Sequence, residues 1–173
     1  MEFKYKEPVA GFSDGLAVLT AYHEDFLQRG QQLLQLVANL KEQGMNEEYA
    51  NQCMEVYCHY QHATHLHHQD EEQSLFPLLL GNSALVDGMI ERLMMDHEEI
   101  EDAWNILAEQ FRQPDKITNF DALQNSTQEF EKLLREHLTR EDEDFSPHAR
   151  AILNDQQRAE SGGKMADMRH LRV

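Results

Sequence analysis

The sequence predicts an all-α protein, an up-down-up-down antiparallel four-helix bundle with a short helical C-terminal tail. Three observations point to it: four apolar stripes of helical period, short turn signals between them, and no plausible strand beyond the first residues. With 173 residues the chain reads as one domain with enough length to bury a core unaided. Residues 1–12 form a lead-in, 13–147 the bundle and 148–173 the tail.

The lead-in contains Pro8 and Gly11 and reads as extended. Ser13 or Asp14 caps a first helix with the stripe Leu16, Leu19, His23, Phe26, Gly30, Leu33, Val37 and Leu40, which ends near Gly44. A second helix starts at about Asn46 and carries Tyr49, Cys53, Val56, Tyr60, Ala63, His67, Glu71, Ser74 and Leu78 on one face. Gly81-Asn82-Ser83 stops it and caps a third, whose stripe is Val86, Ile90, Leu93, His97, Ile100, Trp104, Leu107 and Phe111. Pro114 and Asp115 break the pattern. The fourth helix begins at about Thr118 or Asn119 and carries Leu123, Ser126 or Thr127, Phe130, Leu133 or Leu134, His137, Glu141 and Phe145. In the tail, Asn154 or Asp155 caps a short helix that Gly162-Gly163 interrupts.

Composition excludes several classes of function. A net charge of -17, from 32 acidic and 15 basic residues, disfavours nucleic-acid backbones and anionic membranes as partners. The N-terminus has no signal-peptide core, and no apolar run approaches the roughly 18 residues of a membrane span, so a soluble protein is expected. Cys53 and Cys58 do not make a disulfide framework, and the expected setting is reducing and cytoplasmic.

The chemistry lies in what interrupts the stripes. Each of the four has one histidine near its middle, where inward side chains of a bundle meet at one level. His67-x-x-x-Glu71 and His137-x-x-x-Glu141 each put an imidazole and a carboxylate on one helical face, and a proline stands six residues beyond each Glu. His23 and His97 stand 74 residues apart and His67 and His137 stand 70 apart, so the chain reads as two similar hairpins. Each half supplies two neutral nitrogens and one carboxylate, a set that suits a two-metal site with bridging carboxylates. Buried without a metal, these groups would cost several kcal/mol for each unpaired charge. Pro77 and Pro147 are expected to kink or restart their helices.

A second register, His68 with Glu72, has the same spacing. The distance to the proline and the unbroken stripe favour His67, leaving His68 and Glu72 about 100° around the helix as flanking groups. His59, His62 and His65 read as solvated, and Met94, Met95 and Trp104 as packing residues.

From residue 13 to 147 the chain resembles the hemerythrin-like proteins, also called the HHE cation-binding domain. The resemblance rests on Tyr22-His23-Glu24, His67-x-x-x-Glu71-Glu72 with Leu75-Phe76-Pro77, Asp96-His97-Glu98, and His137-x-x-x-Glu141 with Pro147. It implies two iron ions, an oxo- or hydroxo-bridged di-iron centre, with His23, His67, Glu71, His97, His137 and Glu141 as metal ligands. A ferritin-like site would need Glu-x-x-His pairs, but Thr20, Thr64, Met94 and Leu134 occupy those positions. Oxygen-carrying members of the family have a further histidine on the third helix, four residues from the first. Leu93 and Glu101 stand there instead, so the chain departs from the carrier pattern. Glu101 is expected to face solvent or support the site, with a role as an additional oxygen ligand as the alternative. The resulting expectation is an iron protein that binds dioxygen or nitric oxide for sensing, storage or detoxification, rather than an enzyme. The alternative is a di-iron oxidase or ferroxidase with Tyr22 and Tyr60 as redox partners, and a purely structural module holding zinc is the third reading.

Overall fold

The computed structural model describes residues 3–9 and 11–170; of the lead-in, Met1, Glu2 and Ala10 lie outside the described residues, and of the tail, 171–173 do. Every regular element among the described residues is helical. The long helices are α1 (Gly15–Gln43), α2 (Glu47–Gln69), α4 (Ala84–Phe111) and α5 (Phe120–Arg140). Shorter elements are α3 (Phe76–Leu79), α6 (Ser146–Ile152) and α7 (Asp155–Met168), with a 3-10 turn at Pro114–Lys116.

The helix starts are set by side-chain caps. Asp14 accepts from the backbone N–H of Leu16, Asn46 from Tyr49, Ser83 from Val86 and Asn119 from Ala122, each satisfying a donor the first turn leaves unpaired. Asn154 and Gln157 form a reciprocal capping box on α7. Gly44 ends α1 at φ 77° and Gly81 ends the second helical rod at φ 83°, conformations that favour glycine.

Packing runs along the stripes. α1 packs on α2 and α5, and α4 packs on α2 and α5, so each long helix has two long neighbours around one interior. The stripe residues of α1 and α4 are buried throughout, histidines included. Each fully buried Leu or Phe contributes about 1.5–3 kcal/mol of transfer free energy, and this apolar shell holds the polar centre in place.

The main departures from the expected helices are local. A π-turn at Asp70–Leu75 continues from α2 and another at Glu141–Phe145 continues from α5, each just ahead of its proline. In both, the residue before the proline donates its N–H to the carbonyl of the Glu five residues earlier, Phe76 to Glu71 and Ser146 to Glu141. Pro77 and Pro147 have no N–H for the preceding turn, and the widened turn absorbs the mismatch. It also rotates the remainder of the rod, so Leu75 and Leu79 are fully buried while Leu78, expected on the stripe, is partly exposed. The expected interruption of the tail helix at Gly162-Gly163 does not occur: α7 runs unbroken through both. A Cβ on Gly162 would lie 2.3 Å from the Phe12 carbonyl oxygen, so the glycine permits close docking of α7. Met94 and Met95, expected to pack, are about half exposed.

Replacing Gly162 by Ala is expected to destabilise the protein by about 1–3 kcal/mol in urea unfolding through that overlap. Gly163→Ala, with open space around it, is expected to be neutral or slightly stabilising.

Candidate metal centre

All six sequence-predicted ligands meet in the bundle interior. His23 from α1, His67 from α2, His97 from α4 and His137 from α5 are buried, and Glu71 and Glu141 stand in the first half of the two π-turns, almost without exposure. The helical spacing of four residues stacks each Glu over its His. His67 Nε2 lies 3.4 Å from Glu71 Oε1, and His137 Nε2 lies 3.4 Å from Glu141 Oε2. Across helices, His97 Nε2 is 2.8 Å from Glu71 Oε2 and His23 Nε2 is 2.9 Å from Glu141 Oε2. Glu71 thus offers one oxygen to His67 and the other to His97. Glu141 Oε2 serves His23, His137 and, at 3.6 Å, His67.

Despite these short distances, His23 Nε2, His67 Nε2, His97 Nε2, His137 Nε2 and both oxygens of Glu71 and Glu141 are buried without a hydrogen bond of acceptable geometry. Donor atoms that converge without sharing hydrogens are compatible with a metal site. Two groups form: His23, His67, Glu71 and Glu141, and beside them His68, His97 and His137, with the donor atoms of each group within 4.8 Å of one another.

Carboxylates orient the rings from outside. His23 Nδ1 donates to Asp142 at 2.7 Å, His97 Nδ1 to Glu72 at 2.6 Å, and His137 Nδ1 to Asp96 at 3.4 Å. Such contacts fix the tautomer, leaving Nε2 free to face inward. Asp96 is held in turn by both Nε and an Nη of Arg140 and by Arg92.

Burial and neighbouring charge act differently on the individual groups of the centre. Burial pushes His67 down to about 3 and His68 down to about 4. Burial also lowers His23, but the carboxylates of Glu141 and Asp142 outweigh it and draw it up to about 10. Burial, reinforced by the charge of Glu141, drives Glu71 well above the usual carboxylate range. Two carboxylates in one dry pocket cannot both stay charged unless positive charge joins them.

Several residues stand where the sequence does not suggest them. His68 is not a flanking group but a buried member of the second cluster, its ring stacked on His97 at 4.0 Å between centroids. His59, read as solvated, is buried, with Nε2 3.1 Å from Asp25 Oδ2. His62 and His65 are exposed, as expected. Tyr22 stacks on His67 at 5.4 Å, and Tyr60 is buried against Phe26. The tail supplies Arg169, which pairs through two nitrogens with the buried Asp70, reaches Glu7 at 2.7 Å and donates to the Tyr22 hydroxyl at 2.7 Å. Asp70 adjoins Glu71 in the first π-turn, so α7 braces the centre from outside.

Comparison with known proteins agrees with this geometry. Residues 14–149 match the hemerythrin HHE cation binding domain, and the chain belongs to that family. It is similar to an uncharacterized protein of Haemophilus influenzae, 26% identical over 113 residues that span 65% of this chain and 66% of that protein. No solved structure gives a significant match. Among the described residues, no helix is long and apolar enough to cross a membrane.

Substituting Met for Arg169 leaves Asp70 buried without its partner. The expected loss of stability is on the order of 3 kcal/mol in denaturant unfolding. Adding Asp70→Asn in the same chain should recover part of that loss.

Proposed function

We propose that the protein binds two iron ions through His23, His67, Glu71, His97, His137 and Glu141, and that this centre takes a small ligand, dioxygen or nitric oxide, for sensing, storage or detoxification. One observation carries the reading: the Nε2 atoms of all four histidines and both oxygens of each glutamate are buried together without hydrogen-bond partners. At about 1–3 kcal/mol for each unsatisfied atom, the loss would be on the order of 10 kcal/mol. That rivals the roughly 5–15 kcal/mol net stability of a whole domain. Bound cations remove the deficit. Mixed imidazole and carboxylate donors suit iron and its first-row neighbours better than calcium or magnesium, and cation binding is the property that defines the family.

Iron in this position would supply redox-active Lewis acids with room for a diatomic ligand. The protein's own part is to orient and to exclude water. Asp142, Glu72 and Asp96 hold the imidazole N–H groups, Glu71 and Glu141 present oxygens to both donor groups, and Tyr22, Phe26 and Phe76 wall the pocket with rings. We also read residues 13–147 as one up-down-up-down bundle with 148–173 as its brace, and place the protein in the cytoplasm; the unpaired Cys53 and Cys58 support the latter.

A second reading, a di-iron oxidase or ferroxidase, is favoured by one specific contact. Tyr22 lies against His67 and its hydroxyl meets that of Tyr5 at 3.0 Å, a pair suited to passing an electron outward. Sustained oxygen consumption over many turnovers with ferrous iron as substrate would support this reading over simple binding.

Iron analysis of the purified protein tests the main proposal, with two ions per chain expected. Anaerobic ferrous iron followed by air should produce a near-ultraviolet charge-transfer band. His67→Ala should reduce bound iron below one per chain while far-ultraviolet circular dichroism stays helical. Saturating metal at about 100 times its Kd should add about 2.7 kcal/mol of stability for each ion bound. A chain that binds no iron under these conditions refutes the proposal.

A further inference from the structure

We infer that His68 is a fifth imidazole ligand of the centre, held in place by Glu101, and that the second helix thereby supplies the nitrogen that the third long helix lacks. The inference rests on the metal reading above and adds one residue to its donor set.

Four observations support it. His68 is only 2% exposed, and its Nε2 has no hydrogen-bond partner, the same condition as the inward nitrogens of His23, His97 and His137. Its donor atom lies within 4.8 Å of those of His97 and His137. With metal–nitrogen bonds of about 2.0–2.1 Å, imidazole nitrogens on one ion stand roughly 3–4 Å apart, so modest closure brings the three onto one cation. The His68 and His97 rings are nearly parallel, 11° between planes, so both can approach from one side. Finally, His68 Nδ1 donates to Glu101 at 3.1 Å. The rings of His23, His97 and His137 are gripped in the same way by Asp142, Glu72 and Asp96, and an outer carboxylate of this kind raises ligand basicity as well as fixing the ring.

Glu101 stands one turn beyond His97 on α4. Its side chain bridges to α2, touching His68 and, at 3.3 Å, His65. Glu101 is a positioning residue. The two ions are then unlike: three imidazoles face one, and His23 and His67 face the other.

Cobalt(II) titration of the metal-free full-length chain, followed by visible absorption, tests the inference. The wild type should take up two ions. His68→Phe keeps a ring stacked on His97 but removes the nitrogen. It should bind one ion with wild-type affinity and the second at least about tenfold more weakly, with altered visible bands for the second equivalent. A purely structural role for His68 predicts two unchanged binding steps in His68→Phe, and that result would overturn the inference. Glu101→Gln should weaken the second ion by roughly tenfold, and His62→Ala, an exposed histidine on the same helix, should change nothing. A wild type that binds fewer than two ions would refute the dinuclear reading itself. In a second measurement, on the dicobalt wild type, paramagnetically shifted imidazole N–H resonances should number five, for His23, His67, His68, His97 and His137. A His68→Phe spectrum that retains every one of the wild-type resonances would exclude His68.

Discussion

Five imidazoles and two carboxylates drawn into one dry interior set the terms on which this bundle holds together. Apolar stripes on four helices provide the driving force, but they also carry the polar groups inward. Every one of those groups loses its water, and their inward nitrogens and oxygens gain no hydrogen bond in return. The structure answers by arranging its polar atoms in layers. Nε2 atoms and Glu oxygens converge at the centre, carboxylates grip the Nδ1 atoms of His23, His68, His97 and His137 behind them, and arginines neutralise the buried carboxylates furthest out. Arg140 and Arg92 serve Asp96 in this way, and Arg169 serves Asp70.

That layering explains how a strongly acidic chain, with net charge -17, builds a site for positive ions without depending on its overall charge. The acidic side chains that matter are few and specifically placed. Asp142, Glu72 and Glu101 are partly or largely exposed at the ends of hydrogen bonds that begin on buried rings. Each transmits orientation inward from the solvent side of its own helix or of a neighbour.

Much of this is legible in the sequence, and what is hidden is hidden for physical reasons. Caps at Asp14, Asn46, Ser83, Asn119 and Asn154 are readable because a short polar side chain before an apolar run has one local job. The interrupting histidines are readable because a polar residue on a buried stripe demands a partner. His68 escapes notice because a helical wheel assigns one inward direction to each helix. α2 has two neighbours, α1 and α4, and its interior arc is broad enough for residues about 100° apart both to face inward. His59 escapes on the same grounds. The π-turns alter the phase of the stripe after Glu71, which regular periodicity does not anticipate. Gly162 looks like a helix breaker, whereas it marks a place where two backbones touch. Arg169 belongs to no periodic pattern, and only the tertiary structure shows what it reaches.

The bracing contact of the tail has a consequence for how the molecule behaves as a whole. Asp70 and Glu71 are adjacent in one π-turn, the first held by Arg169 and the second facing the donor cluster. An ion that ordered this turn would also favour the seated tail, and the seated tail would favour the ion by the same factor, because coupling between two equilibria is reciprocal. Arg169 and the buried donor cluster thus meet at two neighbouring carboxylates of one π-turn.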